Sequence, residues 1–138
     1  MSNSKPERFH ERSPMPDNDF CQAVGVTNLR TAAAVAVVRR AVGKLCNLPS
    51  EAIYPDDFPK NIASLVKWPP GWDAVGVVMA IEDELGMSLP GSFEPVPFEG
   101  RIFGLRLGHG PTKMGDWILA TAERLAALES VVLDARWS

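Results

Sequence analysis

The sequence predicts an all-α protein, and three observations lead to that prediction. Apolar residues recur every three or four positions in three separate stretches, which is the spacing of one face of an α-helix. Prolines and glycines are concentrated between these stretches, where they end helices and form turns. The 138 residues are 46% apolar and 22% charged, as is typical of a globular domain with one modest core. We therefore expect a bundle of three main helices joined by short helical segments.

The first main helix is predicted to begin after Thr27 or Asn28, either of which is a suitable N-cap, and to end near Cys46. The preceding residues 1–26 are polar and rich in proline, and we expect a mostly disordered tail there. The helix has an apolar face at spacings of three, four and three, formed by Val35, Val38, Val42 and Leu45. Its basic side chains are expected to line a solvated face, namely Arg30, Arg39, Arg40 and Lys44.

The second main helix is predicted between the Pro69-Pro70 pair and Gly86, because proline and glycine stop helices. At about 100° per residue, one broad face carries apolar side chains and is expected to be buried. That face consists of Val75, Val78, Met79 and Leu85, with Trp72 at its leading edge. The opposite face, which should meet water or a partner, carries Asp73, Asp83 and Glu84.

The connections and the last helix complete the predicted domain of residues 27–130. Residues 48–59 contain three prolines and are expected to form a long connection. Apolar side chains in it and just after it are expected to pack on the core, namely Ile53, Phe58, Ile62 and Leu65. Residues 87–111 are irregular, with a short β-ribbon expected over 101–107. The third helix should follow Thr112 as N-cap, with Asp116 in its first turn. Residues 131–138 are expected to be a C-terminal tail.

The charge is unevenly distributed along the chain. The net charge is only −3, but residues 51–100 hold nine acids against two lysines. This middle part would attract a protein partner with a basic surface, whereas no basic stripe suited to nucleic acid is present. The chain has no run of 18 apolar residues and no apolar leader, so we expect no membrane association and a cytoplasmic location. We also expect a monomer.

The nucleophilic and metal-binding residue types form no recognisable site. Cys21 and Cys46 lie 25 residues apart without a second pair, so two reduced thiols are expected, and a lone disulfide is the alternative. No metal-ligand spacing is present. Neither cysteine, and no serine, forms a nucleophile motif with His10 or His109. The sequence therefore predicts that the protein is not an enzyme.

Several stretches resemble the acyl and peptidyl carrier proteins. Residues 70–73 resemble the Asp-Ser-Leu-Asp motif that opens the family's second helix. Residues 77–86 resemble the rest of that helix, which is rich in valine and ends in Glu-Glu-Glu-Phe-Gly. Residues 53–58 resemble the loop before that helix, and residues 111–118 resemble the Gly-Asp text that opens the last helix. The resemblance runs in order from about residue 29 to 128. It implies an acyl-carrier-protein-like bundle whose acidic second helix meets basic residues on partner proteins.

The main departure from the family concerns its attachment serine, which carries 4′-phosphopantetheine. Gly71 stands at that position here and has no side-chain oxygen, so we expect the prosthetic group to be absent. The Pro69-Pro70 pair and the longer linker over 87–111 are further departures. The resemblance thus implies a non-catalytic interaction module. Its expected partner-binding residues are Trp72, Asp73, Glu82, Asp83 and Glu84.

Two alternative functions stay open on sequence alone. The protein could be a genuine carrier modified at Ser64, although Pro69 and Pro70 would end any helix near that serine. Alternatively, it could be a small ligand-binding or enzymatic domain that uses residues 100–112, with His109 as acid or base.

Overall fold

The computed structural model describes residues 12–57, 74–96, 100–102, 105–107 and 113–133. These residues form four α-helices, one 3₁₀ turn and two short strands. In chain order they are α1 Asp17–Val24, α2 Leu29–Cys46, the 3₁₀ turn Ser50–Ala52, α3 Ala74–Leu85, β1 Gly100–Ile102, β2 Leu105–Leu107 and α4 Met114–Ala126. The helices pack around one apolar core, so the predicted all-α class is confirmed at this level.

Helix α2 lies at the centre of the bundle and packs against α1, α3, α4 and the 3₁₀ turn. The side chain of Asn28 accepts a hydrogen bond of 2.7 Å from the Thr31 N–H, which confirms Asn28 as the N-cap. Asn47 ends the helix in a left-handed conformation with φ 56°. Small side chains let the neighbouring helices approach closely, and the fully buried ones include Ala34, Val35, Ala36, Val37, Val38 and Ala41.

The prediction that the basic residues of α2 line a solvated face is wrong for Arg39. Its side chain is 0% exposed, and its guanidinium donates to Asp17 and to the Ile53 carbonyl. Arg30 is half-buried and donates to three backbone carbonyls, one in the last residue of α4 and two beyond its end. Only Lys44 is exposed as expected. Because neighbours cover α2 on several sides, its arginines find partners inside the protein rather than in water.

Helix α1 occupies part of the segment that was expected to be a disordered tail. Phe20 and Cys21 are buried in the core, and Gly25 ends the helix with φ 84°. The prediction of disorder is therefore wrong for residues 17–24. Two buried side chains are too few to produce a helical period in the apolar residues, so the hydrophobic pattern does not predict α1.

The connection after α2 also supports the start of α4. Ile53 is fully buried, as predicted, whereas Phe58, Ile62 and Leu65 lie outside the described residues. The prediction of Thr112 as N-cap is wrong, because Lys113 holds that position and provides no side-chain cap. Instead, the Met114 N–H donates to the Asp57 carbonyl at 2.7 Å and the Gly115 N–H donates to the Pro55 carbonyl at 2.9 Å. Loop carbonyls thus satisfy the first donors of α4.

Strands β1 and β2 form an antiparallel pair in the linker between α3 and α4. Gly100 lies opposite Leu107 and Ile102 lies opposite Leu105. The pair falls within the stretch in which the sequence predicts a short ribbon. Other residues of the linker, including 97–99 and 108–112, lie outside the described part of the chain.

The lengths and hydropathies of the helices bear on membrane insertion. No single helix in the described ranges is long and apolar enough to cross a bilayer. Helices α1 and α2 meet the length and composition criteria only as a pair, and the two are bent by 113° at the break between them. Most apolar side chains of α2 are buried against the rest of the bundle, whereas Leu29 at its start is exposed.

Candidate interaction surface on helix α3

Helix α3 turns a different face to the core from the one that the sequence predicts. Its fully or nearly fully buried side chains are Val77, Ala80, Ile81 and Leu85. By contrast, Val75 is 67% exposed and Met79 is 61% exposed, while Val78 is half-buried. The prediction that Val75 and Met79 pack in the core is therefore wrong.

The positions of the acidic residues in the sequence indicate which side of α3 faces solvent. Residues four apart on a helix are separated by about 40° around its axis, so Met79 shares a face with Asp83 and with Val75. The expected exposure of Asp83 therefore implies exposure of Met79. Helix α3 is apolar around most of its circumference, and the apolar period alone does not determine its rotation.

The outer face of α3, defined here as Val75, Met79 and Asp83, combines apolar and acidic side chains. The Asp83 side chain is 66% exposed, and one of its oxygens lies 3.2 Å from Lys44 Nζ. An ion pair this exposed contributes at most about 1 kcal/mol, because water screens both charges. Asp83 can therefore exchange Lys44 for a cation on a partner at little cost.

The two acids beside Asp83 differ in their roles. The Glu82 carboxylate accepts a hydrogen bond of 2.7 Å from the Leu89 N–H, and its carbonyl accepts one of 2.8 Å from the Gly86 N–H. Glu82 therefore holds the turn that follows α3. Glu84 is half-buried and makes no ion pair with the residues that the structure describes. Asp83 is thus the most accessible of the three carboxylates.

The electrostatics of this end of α3 are strongly negative. Three consecutive carboxylates occupy the last turn, and that turn carries no basic residue. The C-terminus of a helix already carries a partial negative charge, so acids placed there oppose the helix dipole and destabilise the helix slightly. An apolar patch next to this charge can bind an apolar side chain and a cation from the same partner.

Other residues that the sequence singles out lie outside the described part of the chain. They are Trp72 and Asp73 of the expected partner site, Gly71 and Ser64 of the two attachment hypotheses, and the histidines His10 and His109. Within the described ranges, no group of three His, Cys, Asp or Glu side chains is arranged to hold a metal ion. Of the expected partner-binding residues, Glu82, Asp83 and Glu84 lie in the described part of the chain, and only Asp83 belongs to the outer face of α3.

The two cysteines are free thiols and both are buried. Burial raises the pKa of Cys46 to about 12. Burial also raises the pKa of Cys21, with a further increase from the nearby Asp17 carboxylate that Arg39 partly offsets. Both thiols are therefore protonated at neutral pH and are poor nucleophiles in the folded protein.

The outer face of α3 thus offers two exposed apolar side chains and an accessible carboxylate, but no group arranged for covalent chemistry among its members. No protein-family model, no curated protein and no solved structure matches this chain.

Proposed function

We propose that this protein is an atypical acyl-carrier-protein-like domain that lacks the phosphopantetheine serine and acts as a non-catalytic protein-interaction module. The observation that supports this proposal is the exposure of Val75 and Met79 beside Asp83 on α3. The order of the elements also supports it, because an acidic helix lies between a central helix and a last helix that begins with Gly115-Asp116.

The exposed apolar side chains supply the affinity that such a module needs. Fully burying a Val or Met side chain contributes roughly 1.5–3 kcal/mol, and both side chains here lie one turn apart on the same face. A partner that covers them gains this energy without rearranging the core.

The acidic end of α3 determines which partners bind. Asp83 and the helix C-terminus attract a basic surface and increase its rate of association, and salt weakens this attraction. The partner is therefore a protein with exposed Lys or Arg next to an apolar side chain. Since Gly71 offers no attachment oxygen, the module carries no 4′-phosphopantetheine arm.

An intact-mass experiment tests the carrier part of the proposal. The protein is incubated with coenzyme A and a broad-specificity phosphopantetheinyl transferase, beside the Gly71→Ser variant. We expect the natural chain to keep its mass and Gly71→Ser to gain one phosphopantetheine arm. Modification of the natural chain would contradict the proposal, and its loss in Ser64→Ala would identify a genuine carrier modified at Ser64.

A binding experiment tests the interaction surface. The probe is a synthetic helical peptide with one leucine stripe flanked by lysines, titrated into isotope-labelled protein and followed by NMR. We expect salt-sensitive binding that shifts the amide signals of α3, with Met79→Ser and Asp83→Lys each weakening it at least about fivefold, or about 1 kcal/mol.

The matched controls lie elsewhere on the surface. Asp56 is 89% exposed and pairs with Lys113 at 3.3 Å, so Asp56→Lys makes the same charge change at another exposed pair. Leu29 is 84% exposed, so Leu29→Ser removes a comparable apolar side chain. Both controls should bind as the natural chain does. If Asp56→Lys weakens binding as much as Asp83→Lys, only net charge matters and the proposed surface is wrong.

A further inference from the structure

Helix α1 packs against α2 and α4, and it meets the buried Arg39 of α2. Its Asp17 also lies 3.7 Å from the Arg40 guanidinium. The Arg39 guanidinium donates to Asp17 Oδ1 at 2.9 Å and to the Ile53 carbonyl at 2.8 Å. It also lies over the Phe20 ring, 4.5 Å from the ring centroid. Asp17 and Phe20, three residues apart on one face of α1, thus bind the same cation.

This arrangement carries two energetic costs that undocking of α1 would remove. Taking a guanidinium out of water costs several kcal/mol, and one ion pair often repays this cost only in part. In addition, Arg39 Nε is buried without a hydrogen-bond acceptor among the described residues. A buried unsatisfied donor costs about 1–3 kcal/mol. When α1 moves away, water reaches both the charge and the unsatisfied donor.

Few apolar side chains of α1 are buried. Phe20 and Cys21 are buried and Val24 is half-buried against the core, whereas Asn18, Asp19, Gln22 and Ala23 are exposed. The link to α2 is short and mostly exposed, with Val26 half-buried against the core and open space around Gly25. Residues 25–28 can therefore act as a hinge once Val26 leaves the core surface.

We propose that α1 is a reversible latch, which undocks from α2 and α4 between two pivots, Pro16 and residues 25–28. Residues 12–15 keep their contacts with residues 51–57, and α2, α3 and α4 remain folded. In the closed state, Asp17 and Phe20 cover Arg39. In the open state, the guanidinium and the apolar surface beneath Phe20 face solvent and form a site of opposite charge to the outer face of α3. Sub-global openings of this kind occur where few buried contacts hold an element in place.

The two cysteines provide separate reporters of opening in the natural chain. Cys21 lies on α1, and Cys46 is the last residue of α2. Both thiols are buried, so each reacts with an alkylating reagent only after its surroundings open. We expect Cys21 to react at least about tenfold faster than Cys46 under native conditions, with a weaker dependence on urea because undocking exposes less surface than global unfolding.

Asp17→Asn tests the role of the buried pair, with Asp19→Asn as its matched control. Both changes remove one carboxylate from the first turn of α1, but Asp19 is exposed and makes no ion pair with the described residues. Removing one partner of a buried pair leaves an uncompensated charge, so we expect Asp17→Asn to accelerate Cys21 alkylation at least about tenfold. Asp19→Asn should change it less than about twofold.

Hydrogen exchange provides a second readout that does not depend on thiol chemistry. In Asp17→Asn, amides of residues 17–24 should exchange faster while those of residues 33–42 stay the most protected. Equal alkylation rates and equal urea dependence at Cys21 and Cys46 would show that α1 opens only by global unfolding, which would overturn the proposal. Identical behaviour of Asp17→Asn and Asp19→Asn would overturn the role of Arg39.

Discussion

Gly115 shows why a single missing side chain matters for the packing of this protein. A β-carbon at position 115 would lie 2.7 Å from the Pro55 α-carbon and 2.9 Å from its carbonyl oxygen. The first turn of α4 can therefore donate to the Pro55 carbonyl only because residue 115 is glycine. The glycine of the Gly115-Asp116 pair is thus required sterically, because a side chain at this position would collide with Pro55.

Gly115→Ala should destabilise the protein by about 1–3 kcal/mol, the usual cost of overpacking a buried contact. Two of the three nearest atoms belong to the Pro55 backbone and the third is the β-carbon of its rigid ring, so they cannot move aside as a flexible side chain would. Urea denaturation measures the change. Gly91→Ala is the control, because nothing lies within 4 Å of a β-carbon at that position. Equal stability of the two variants would show that the loop and α4 do not meet this closely.

The buried thiol of Cys46 should make stability depend on pH in the alkaline range. Its pKa rises from 9.0 to about 12 on burial, so the unfolded chain loses the proton first. The stabilising contribution is complete below pH 9 and is lost as the pH rises from 9 towards 12. The free energy of unfolding should therefore fall by up to about 1.4 kcal/mol per pH unit in this window for this one group.

Urea denaturation at a series of pH values from 8 to 11 measures this effect, and Cys46→Ala is the comparison. The variant will be less stable at every pH because it leaves a cavity, so only the slopes are compared. We expect a shallower slope in Cys46→Ala above pH 9. Parallel curves for the two proteins would contradict burial as the cause.

At the scale of elements, Arg30 connects the start of α2 to the end of α4. Its guanidinium donates to the Ala126 carbonyl at 2.6 Å, to the Leu128 carbonyl, and to the Val131 carbonyl at 3.1 Å. The last carbonyls of a helix have no partner within it, and a cation there also suits the helix dipole. One side chain thus caps α4 and fixes the segment that follows.

Arg30→Ala should lower stability by about 1–3 kcal/mol, because hydrogen bonds to a charged group contribute roughly that much. Arg30→Lys keeps the charge but lacks the planar fork, so it should recover only part of the loss. Thermal or urea denaturation of the natural chain, Arg30→Lys and Arg30→Ala measures the order of their stabilities. Full recovery by lysine would show that charge, rather than the directed hydrogen bonds, stabilises this end of α4.

The sequence predicts α2, α3 and α4 but not α1, and it does not predict how the helices are rotated or buried. The Asn28 cap defines the start of α2 correctly, and Gly86 marks the end of α3, because caps and left-handed glycines are local signals. The burial of Arg39 depends on α1 and on Ile53, which are distant in sequence. No local pattern contains that information.

The candidate site was predictable only in part, because local sequence signals do not specify which side of a helix is buried. The accessibility of Asp83 followed from its charge, and the structure agrees. The exposure of Val75 and Met79 depends on which side of α3 meets α2, and α3 is apolar enough to pack in more than one rotation. Only the acids on the same face identify the solvent side, and they occur late in the helix.

At the scale of the whole molecule, α2 is the element on which the others depend. It packs against α1, α3 and α4, and eleven of its eighteen residues are buried. We expect amides of residues 33–42 to exchange most slowly with solvent, since they open only when the whole bundle unfolds. Hydrogen exchange followed by mass spectrometry measures this, with α3 as the internal comparison. Slower exchange in α3 than in α2 would contradict the central role of α2.

The turn at residues 54–57 joins segments from three parts of the chain. The Arg12 guanidinium binds both oxygens of Asp57, at 2.7 and 2.8 Å, and lies over the Tyr54 ring. The Asp57 carbonyl accepts from the Met114 N–H on the other side. Contacts between residues so far apart in sequence close large loops, and their entropy cost places them late in folding.

The bond between Arg30 and the Val131 carbonyl also has a consequence during biosynthesis. The two residues are separated by 101 positions, so α2 leaves the ribosome long before the segment that completes its packing. Throughout that interval the nascent chain exposes the apolar surface of α2 that α4 will cover. A nascent chain that stalls before residue 113 would therefore expose the apolar surface of α2. Such chains aggregate unless chaperones bind them or they are degraded.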